Sequence, residues 1–186
     1  APDLHLRKAL AHATDRRTLG IPVFSNQVAA HGGLGPPGLM GHTPDIALPF
    51  DLEGARRHLE QSSHRGQLRV AIPQNWTLPY LDALLDGWHT RLELEIERLD
   101  FPARDIGKWS AQAHAGLGMW LTGYPDPAFF LHLLLLIRTA SHVSRWAPSG
   151  YEALIDKAPA LGAGAAGWAV FDEAAGHPVH AGVSSC

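Results

Sequence analysis

The chain has one cysteine, and Cys186 is the last of its 186 residues. An internal disulfide is therefore excluded, and so is any multi-cysteine zinc or iron–sulfur site. Charge is also sparse. Asp, Glu, Lys and Arg make up 18% of the residues, and 15 basic against 18 acidic side chains leave a net charge of −3. A protein that grips nucleic acid by charge is excluded on that ground, and no nucleic-acid partner is expected. Long apolar runs are missing too. The longest, Phe129 to Ile137, is nine residues interrupted by His132, too short to cross a bilayer, so no membrane insertion by this domain is expected. The opening Ala1-Pro2-Asp3-Leu4-His5 lacks the basic-then-apolar order of a signal peptide. With no Met at the start and an abrupt end at Cys186, the chain reads as a piece of a longer one.

The signatures of common chemistry are absent as well. There is no G-x-x-x-x-G-K-[ST] loop, no G-x-G-x-x-G after a strand and no G-x-S-x-G elbow. Gly116-Leu117-Gly118 is only a G-x-G at the start of an apolar stretch. Twelve histidines invite a search for a metal site. His177 and His180, three apart on an expected strand, point to opposite faces, and His31 and His42 have no acidic neighbour at ligand spacing. Most histidines are read as surface residues. No metal site, no cofactor and no enzymatic activity are expected. Asp82 and Asp86 lie one helical turn apart, with nothing adjacent that would raise the pKa of either.

What is present is an apolar content of 46%, enough for a real core, and an alternation of helical and strand patterns. Asp3 caps a helix whose Leu4, Leu6, Ala9, Leu10 and Ala13 share one face. Asp15 starts a second helical stretch, its carboxylate accepting from the N–H of Arg17 or Thr18. Between Gly32 and Pro44 lie eight glycines or prolines, so residues 20–49 are expected to be loop. Asp51 caps a helix to about Gln61, with Leu52, Ala55 and Leu59 inward and Glu53 in the first turn. Leu68–Ile72 is expected as a strand ended by Pro73, and Leu78–Thr90 as a helix with Leu81, Leu84, Leu85 and Trp88 on one face. In the next stretch Leu92, Leu94 and Ile96 alternate with Glu93, Glu95 and Glu97, which predicts a strand with a solvated acidic face. A helix from Pro102 to about Ala113 and a strand over Leu117–Leu121 follow. Beyond them, helices are expected at Pro127–Thr139, Tyr151–Ala158 and Ala163–Glu173, and a strand at Val179–Val183. This order is that of an α/β layered sheet.

Four stretches, in order from Leu6 to Ala158, resemble the family 5 extracellular solute-binding proteins, the oligopeptide-, dipeptide- and nickel-binding receptors of ABC importers. Leu6-Arg7-Lys8-Ala9-Leu10-Ala11-His12-Ala13-Thr14-Asp15-Arg16 is similar to a family helix of form V-R-Q-A-L-x-x-A-I-D-R. Pro36-Pro37-Gly38, with Asp51-Leu52-Glu53-Gly54-Ala55 after it, resembles the family's P-P-G loop and following helix. Met119-Trp120-Leu121-Thr122-Gly123-Tyr124-Pro125-Asp126-Pro127 resembles G-W-x-x-D-Y-x-D-P, and Tyr151-Glu152-Ala153-Leu154-Ile155 resembles Y-x-x-L-I.

The resemblance implies one lobe of a bilobal, type II periplasmic-binding-protein fold: a mixed sheet flanked by helices over residues 1–186, with residues after about 158 diverging from the family pattern. It implies a ligand-binding lobe for peptide or another small solute. Its partner would be a membrane ABC permease, reached through the full-length protein. The location would be periplasmic or extracellular, with membrane anchoring in the full-length protein. It also implies that Met119, Trp120, Leu121, Thr122, Gly123 and Tyr124 line the ligand cleft. Two of these depart from the family. Gly123 stands where peptide-binding members carry an aspartate that pairs with the peptide ammonium, and Met119 stands where a glycine precedes the Trp. Some cytoplasmic transcription regulators carry a solute-sensing domain of this same fold, and the sequence leaves that reading open.

Overall fold

The computed structural model describes residues 3–19, 48–75, 79–102, 105, 112–117 and 153. The chain divides into two compact units. One comprises Ala1–Ala30, Leu48–Gly118 and Ser185–Cys186, and the other His31–Ala47 and Met119–Ser184. Every element described below belongs to the first unit. The helices expected at Pro127–Thr139 and Ala163–Glu173, the strand at Val179–Val183 and most of the loop over 20–49 lie outside the described residues. So do most of the helices at Pro102–Ala113 and Tyr151–Ala158.

Helix α1 spans Leu4–His12. Asp3 caps it, its Oδ1 accepting from the N–H of Leu6 at 3.0 Å. Leu6, Ala9, Leu10 and Ala13 are buried as expected, but Leu4 is 43% exposed. Its Cβ points toward the helix start, past the end of the packed face, so the first apolar position of the pattern stays wet. A helical turn follows over residues 16–19, and Asp15 accepts from the N–H groups of both Arg17 and Thr18. Helix α2 spans Leu52–Gln61 and is capped by Asp51, which accepts from the N–H of Gly54 at 2.9 Å.

Helices α1 and α2 pack antiparallel. At one end Asp3 Oδ2 accepts from the hydroxyls of Ser62 and Ser63, each at 2.8 Å. At the other end the N–H of Asp51 donates to the carbonyl of His12 at 3.0 Å. Burial opposes ionisation of Asp3, but the bonds from Leu6, Ser62 and Ser63 outweigh it and hold this carboxyl well below the usual range.

Strand β1 spans Leu68–Pro73. Pro73 is therefore the last strand residue rather than a stop before it, because a strand end tolerates the missing N–H. All its residues but Arg69 are buried, the pattern of a strand covered on both faces. Gly66, with φ at 85°, makes the turn into it, a conformation that suits glycine. Helix α3 spans Pro79–Leu92, two residues past the expected end. Leu81, Leu84 and Trp88 are buried on it. The Trp88 indole N–H donates to Thr14 Oγ1 at 3.0 Å and to the Leu10 carbonyl at 3.2 Å, tying α3 to the end of α1.

The alternating acidic stretch is corrected by the structure. Strand β2 is Ile96–Phe101, not a strand from Leu92. Leu92 closes α3, and Glu93 turns out of it with φ at 54°, the left-handed position that ends many helices. Leu92 and Leu94 are still buried and Glu93, Glu95 and Glu97 exposed, so the alternation reported faces correctly but not secondary structure. Strand β3 is Ala115–Gly116, two residues ahead of the expected start at Leu117. It begins where His114 donates its backbone N–H to the Arg69 carbonyl.

The strand order is β2-β1-β3, and both pairings are parallel. The antiparallel partner that a mixed sheet needs is not among the described residues. The helices and this parallel sheet share one apolar core in which Leu6, Leu68 and Ile72 are fully buried. Each such side chain contributes about 1.5–3 kcal/mol relative to leaving it in water.

Candidate functional site

In an open parallel sheet the carboxyl ends of the strands gather at one edge, and a ligand crevice forms where the strand order reverses. Here β1 connects through α3 to β2 on one side, while β3 lies on its other side. The reversal therefore falls between β1 and β3. At that point β1 ends in Ile72-Pro73-Gln74-Asn75. The Gln74 N–H continues the ladder to the Phe101 carbonyl at 2.7 Å, and Asn75 then takes φ at 66°. Asparagine tolerates this left-handed conformation better than most side chains, because it is short and polar. On the neighbouring strand, Leu117 donates its N–H to the Ala71 carbonyl at 2.9 Å. The chain leaves β3 at the same edge.

Met119, Trp120, Leu121, Thr122, Gly123 and Tyr124, the residues expected to line the cleft, begin two positions after Leu117 and lie outside the described residues. The structure does place the strand that leads into them beside β1, at the switch point. Gln74 and Asn75 were not singled out in the sequence. The available signal was a polar Gln-Asn pair closing an apolar run, with Asn at the end where the chain must turn.

The described part of this edge can bind but has little with which to react. Gln74 and Asn75 are exposed amides that donate and accept. Asp100, near the end of β2, is paired with Arg98 at 3.0 Å. No histidine, cysteine or serine stands among Ile72–Asn75, Phe101, Pro102 and Leu117. Among the described residues no group of three or more His, Cys, Asp or Glu side chains is arranged to hold a metal ion.

The opposite, amino edge is different. A concavity of about 470 Å³ opens there among Arg56, Glu60, His64, Arg65, Arg91 and Glu93. These residues precede β1 and β2 or end α3, so the concavity is away from the switch point. Beside it, His64 packs edge-on against His114 with ring centroids 4.7 Å apart, and His114 Nδ1 accepts the Arg69 N–H at 2.9 Å. Burial, reinforced by the nearby His64 and Arg69, pushes the His114 pKa down. We assign the candidate site to the carboxyl edge. Strand topology selects it, whereas the concavity lies at the other edge and Arg65 and Arg91 there donate to the backbone carbonyls of Ser62, His64 and Ala13.

No family model and no curated protein matches the chain. Solved structures do. The chain superposes on the murein tripeptide binding protein MppA of Escherichia coli with a TM-score of 0.77 at 18% identity, covering 99% of this chain and 39% of that one. It matches an oligopeptide-binding protein of Borrelia burgdorferi, OppAIV, with a TM-score of 0.75 at 17% identity, over 97% of this chain and 38% of that one. It matches the DppA protein of Helicobacter pylori, solved with the peptide STSA, with a TM-score of 0.75 at 16% identity, over 96% of this chain and 36% of that one. The chain thus spans less than two fifths of each of these proteins and has the fold of the part it covers. That is consistent with one lobe of a bilobal fold.

Proposed function

We propose that the chain is the ligand-binding lobe of an ABC-importer substrate-binding protein, a single α/β lobe that takes peptide or another small solute. The observation that carries this is the shared fold, over almost the whole chain, with proteins named for binding murein tripeptide and oligopeptide. The parallel sheet supports it, since β3, which precedes Met119 in the chain, borders the reversal point. On this reading Trp120 offers a rigid apolar face to the ligand, Leu121 and Tyr124 flank it, and Thr122 supplies a hydroxyl. Met119 narrows the pocket where a glycine would leave room. The full-length protein is periplasmic or extracellular, is anchored at the membrane and delivers its ligand to a membrane permease. It binds rather than transforms, a reading supported by the similarity to proteins named for binding. No observation favours the alternative of a regulator's sensor domain.

The test is titration calorimetry of the full-length protein with tri- and tetrapeptides, each free and N-acetylated. Saturable one-to-one binding is expected. Gly123 leaves no carboxylate to pair with an ammonium, and such a charged hydrogen bond contributes about 1.5–3 kcal/mol. Free peptides should therefore hold less than a tenfold advantage over acetylated ones. A tenfold or larger advantage would mean that another acid has taken over the pairing. Binding of no peptide at all would overturn the peptide class.

A further inference from the structure

The sequence did not single out His5, His12 or His58, but the α1–α2 hairpin brings them together. His5 and His12 are seven residues apart on α1, two turns along one face. His58 enters between them from α2. Its Nδ1 lies 3.0 Å from His5 Nδ1, with ring centroids 5.2 Å apart. The His12 ring stacks on the His58 ring at 5.7 Å, nearly parallel at 12°, and His12 Nδ1 is itself tied to the Pro49 carbonyl at 2.8 Å.

A hydrogen bond between two Nδ1 atoms needs a proton on one ring and a lone pair on the other. The two in-plane orbitals therefore face each other along the line between the nitrogens, and a partial in-plane tilt of each ring would aim both at one point beside that line, as a chelate requires. Two imidazole nitrogens held about 2.05 Å from one metal ion are about 2.9 Å apart at a right angle and about 3.3 Å apart at the tetrahedral angle. The observed 3.0 Å is set by the hydrogen bond and lies nearer the right-angled spacing than the tetrahedral one. The former is the cis arrangement of tetragonal nitrogen–oxygen sites, which suits Cu(II) or Ni(II) better than Zn(II).

We propose that His5 and His58 form a two-imidazole chelate for a divalent transition-metal ion of tetragonal preference, Cu(II) first, bridging α1 to α2. The metal takes the place of the shared proton. The donor ring shifts its proton from Nδ1 to Nε2 through water, so both rings stay neutral and no net proton is released. Water fills the remaining positions. His12 holds the plane of the His58 ring through stacking and its bond to Pro49, which makes it a positioning residue. Lys8 and Arg57 bring positive charge near His58 and keep the affinity modest. The site is independent of the solute-binding reading, since it lies on the helix pair and uses no strand-end residue.

The test is titration of the 186-residue chain with CuCl₂ at neutral pH, read by calorimetry and by electron paramagnetic resonance. One Cu(II) with two imidazole nitrogens is expected, bound more tightly than Zn(II). His5→Asn and His58→Asn should each weaken that site at least tenfold, and His12→Ala should weaken it less. Unchanged affinity in either folded asparagine variant would overturn the proposal. If circular dichroism shows a variant unfolded, the unmodified chain decides. Copper-catalysed oxidation followed by peptide mapping should mark His5 and His58, and marks confined to other residues would overturn the site.

Discussion

At the amino edge of the sheet, Arg56, Arg65, Arg91, Glu60 and Glu93 surround one concavity. At the carboxyl edge the chain ends its strands in Pro73, Gln74, Asn75 and Phe101, and the acid nearby, Asp100, is already paired with Arg98. Among the described residues the hollow is at the first edge and the topological switch point at the second. The difference follows from what each edge must do. Strands enter the sheet at the amino edge from helix ends and turns, where charged side chains are solvated and Gly66 and Glu93 take left-handed backbone. Strands leave at the carboxyl edge into connections that diverge where the strand order reverses, and that divergence opens the crevice a ligand can use. A concavity alone is therefore a weaker guide to function than strand order.

The change expected to have the largest effect removes the seam that supports both edges. Trp88→Ala empties a buried site and strips Thr14 and the Leu10 carbonyl of their indole partner. Urea unfolding should show a loss of about 3–5 kcal/mol. A loss below about 1 kcal/mol would mean that the two edges do not depend on a common core. The next change separates the edges by function. In the full-length protein, Trp120→Ala should weaken solute binding by about 1–3 kcal/mol with the melting temperature little changed. Unchanged affinity with a sharply lower melting temperature would make Trp120 a core residue.

Asp3→Ala acts on the helix hairpin instead. It removes the cap of α1 and the acceptor for Ser62 and Ser63, and should cost about 1 kcal/mol in chemical denaturation, with ligand affinity intact. A smaller effect comes from His114 at the amino edge. Its folded pKa lies below the ordinary 6.5, so the folded state takes up its proton less readily than the unfolded chain does. This group imposes no penalty well above pH 6.5, and stability is lost as pH falls through 6.5 toward the folded value. Urea midpoints measured on either side of that value should show the slope, and His114→Gln should reduce it, the part due to the likewise lowered His58 remaining. The lowered carboxyl of Asp3 adds no slope there, because its contribution persists down to its ordinary value of 3.8 and is lost only below it. The smallest effect sharpens the comparison most. Arg56→Ala, in the concavity, should leave solute affinity unchanged by calorimetry, and a tenfold loss would move the site to the amino edge.

Much of the first unit was legible because its signals are local. Asp3, Asp15 and Asp51 cap as expected, since an N-cap bond spans only two or three residues. The apolar faces of Leu6, Ala9 and Leu10 and of Leu81, Leu84 and Trp88 follow from helical period alone. Where local signals competed, the reading slipped. Leu92-Glu93-Leu94-Glu95 alternates like a strand, yet the chain spends Leu92 on the end of α3, because β2 can begin only where Ile96 finds Leu68. The candidate site was less legible. Trp120 and its neighbours were named through resemblance, whereas Gln74 and Asn75 have no pattern of their own and owe their interest to the strand beside them.

The sequence by itself determined that this is an α/β chain with a real core, no internal disulfide and no apolar run long enough to cross a bilayer. It also determined where its described helices begin, because composition and capping depend on near neighbours. Only the tertiary structure decided that β1 is central between β2 and β3, that the switch point falls at Asn75 and Leu117, and that His5 meets His58 across 53 positions. Each of these is a pairing between distant residues, set by how the helices and strands bury their apolar faces together, and no local pattern encodes the partner.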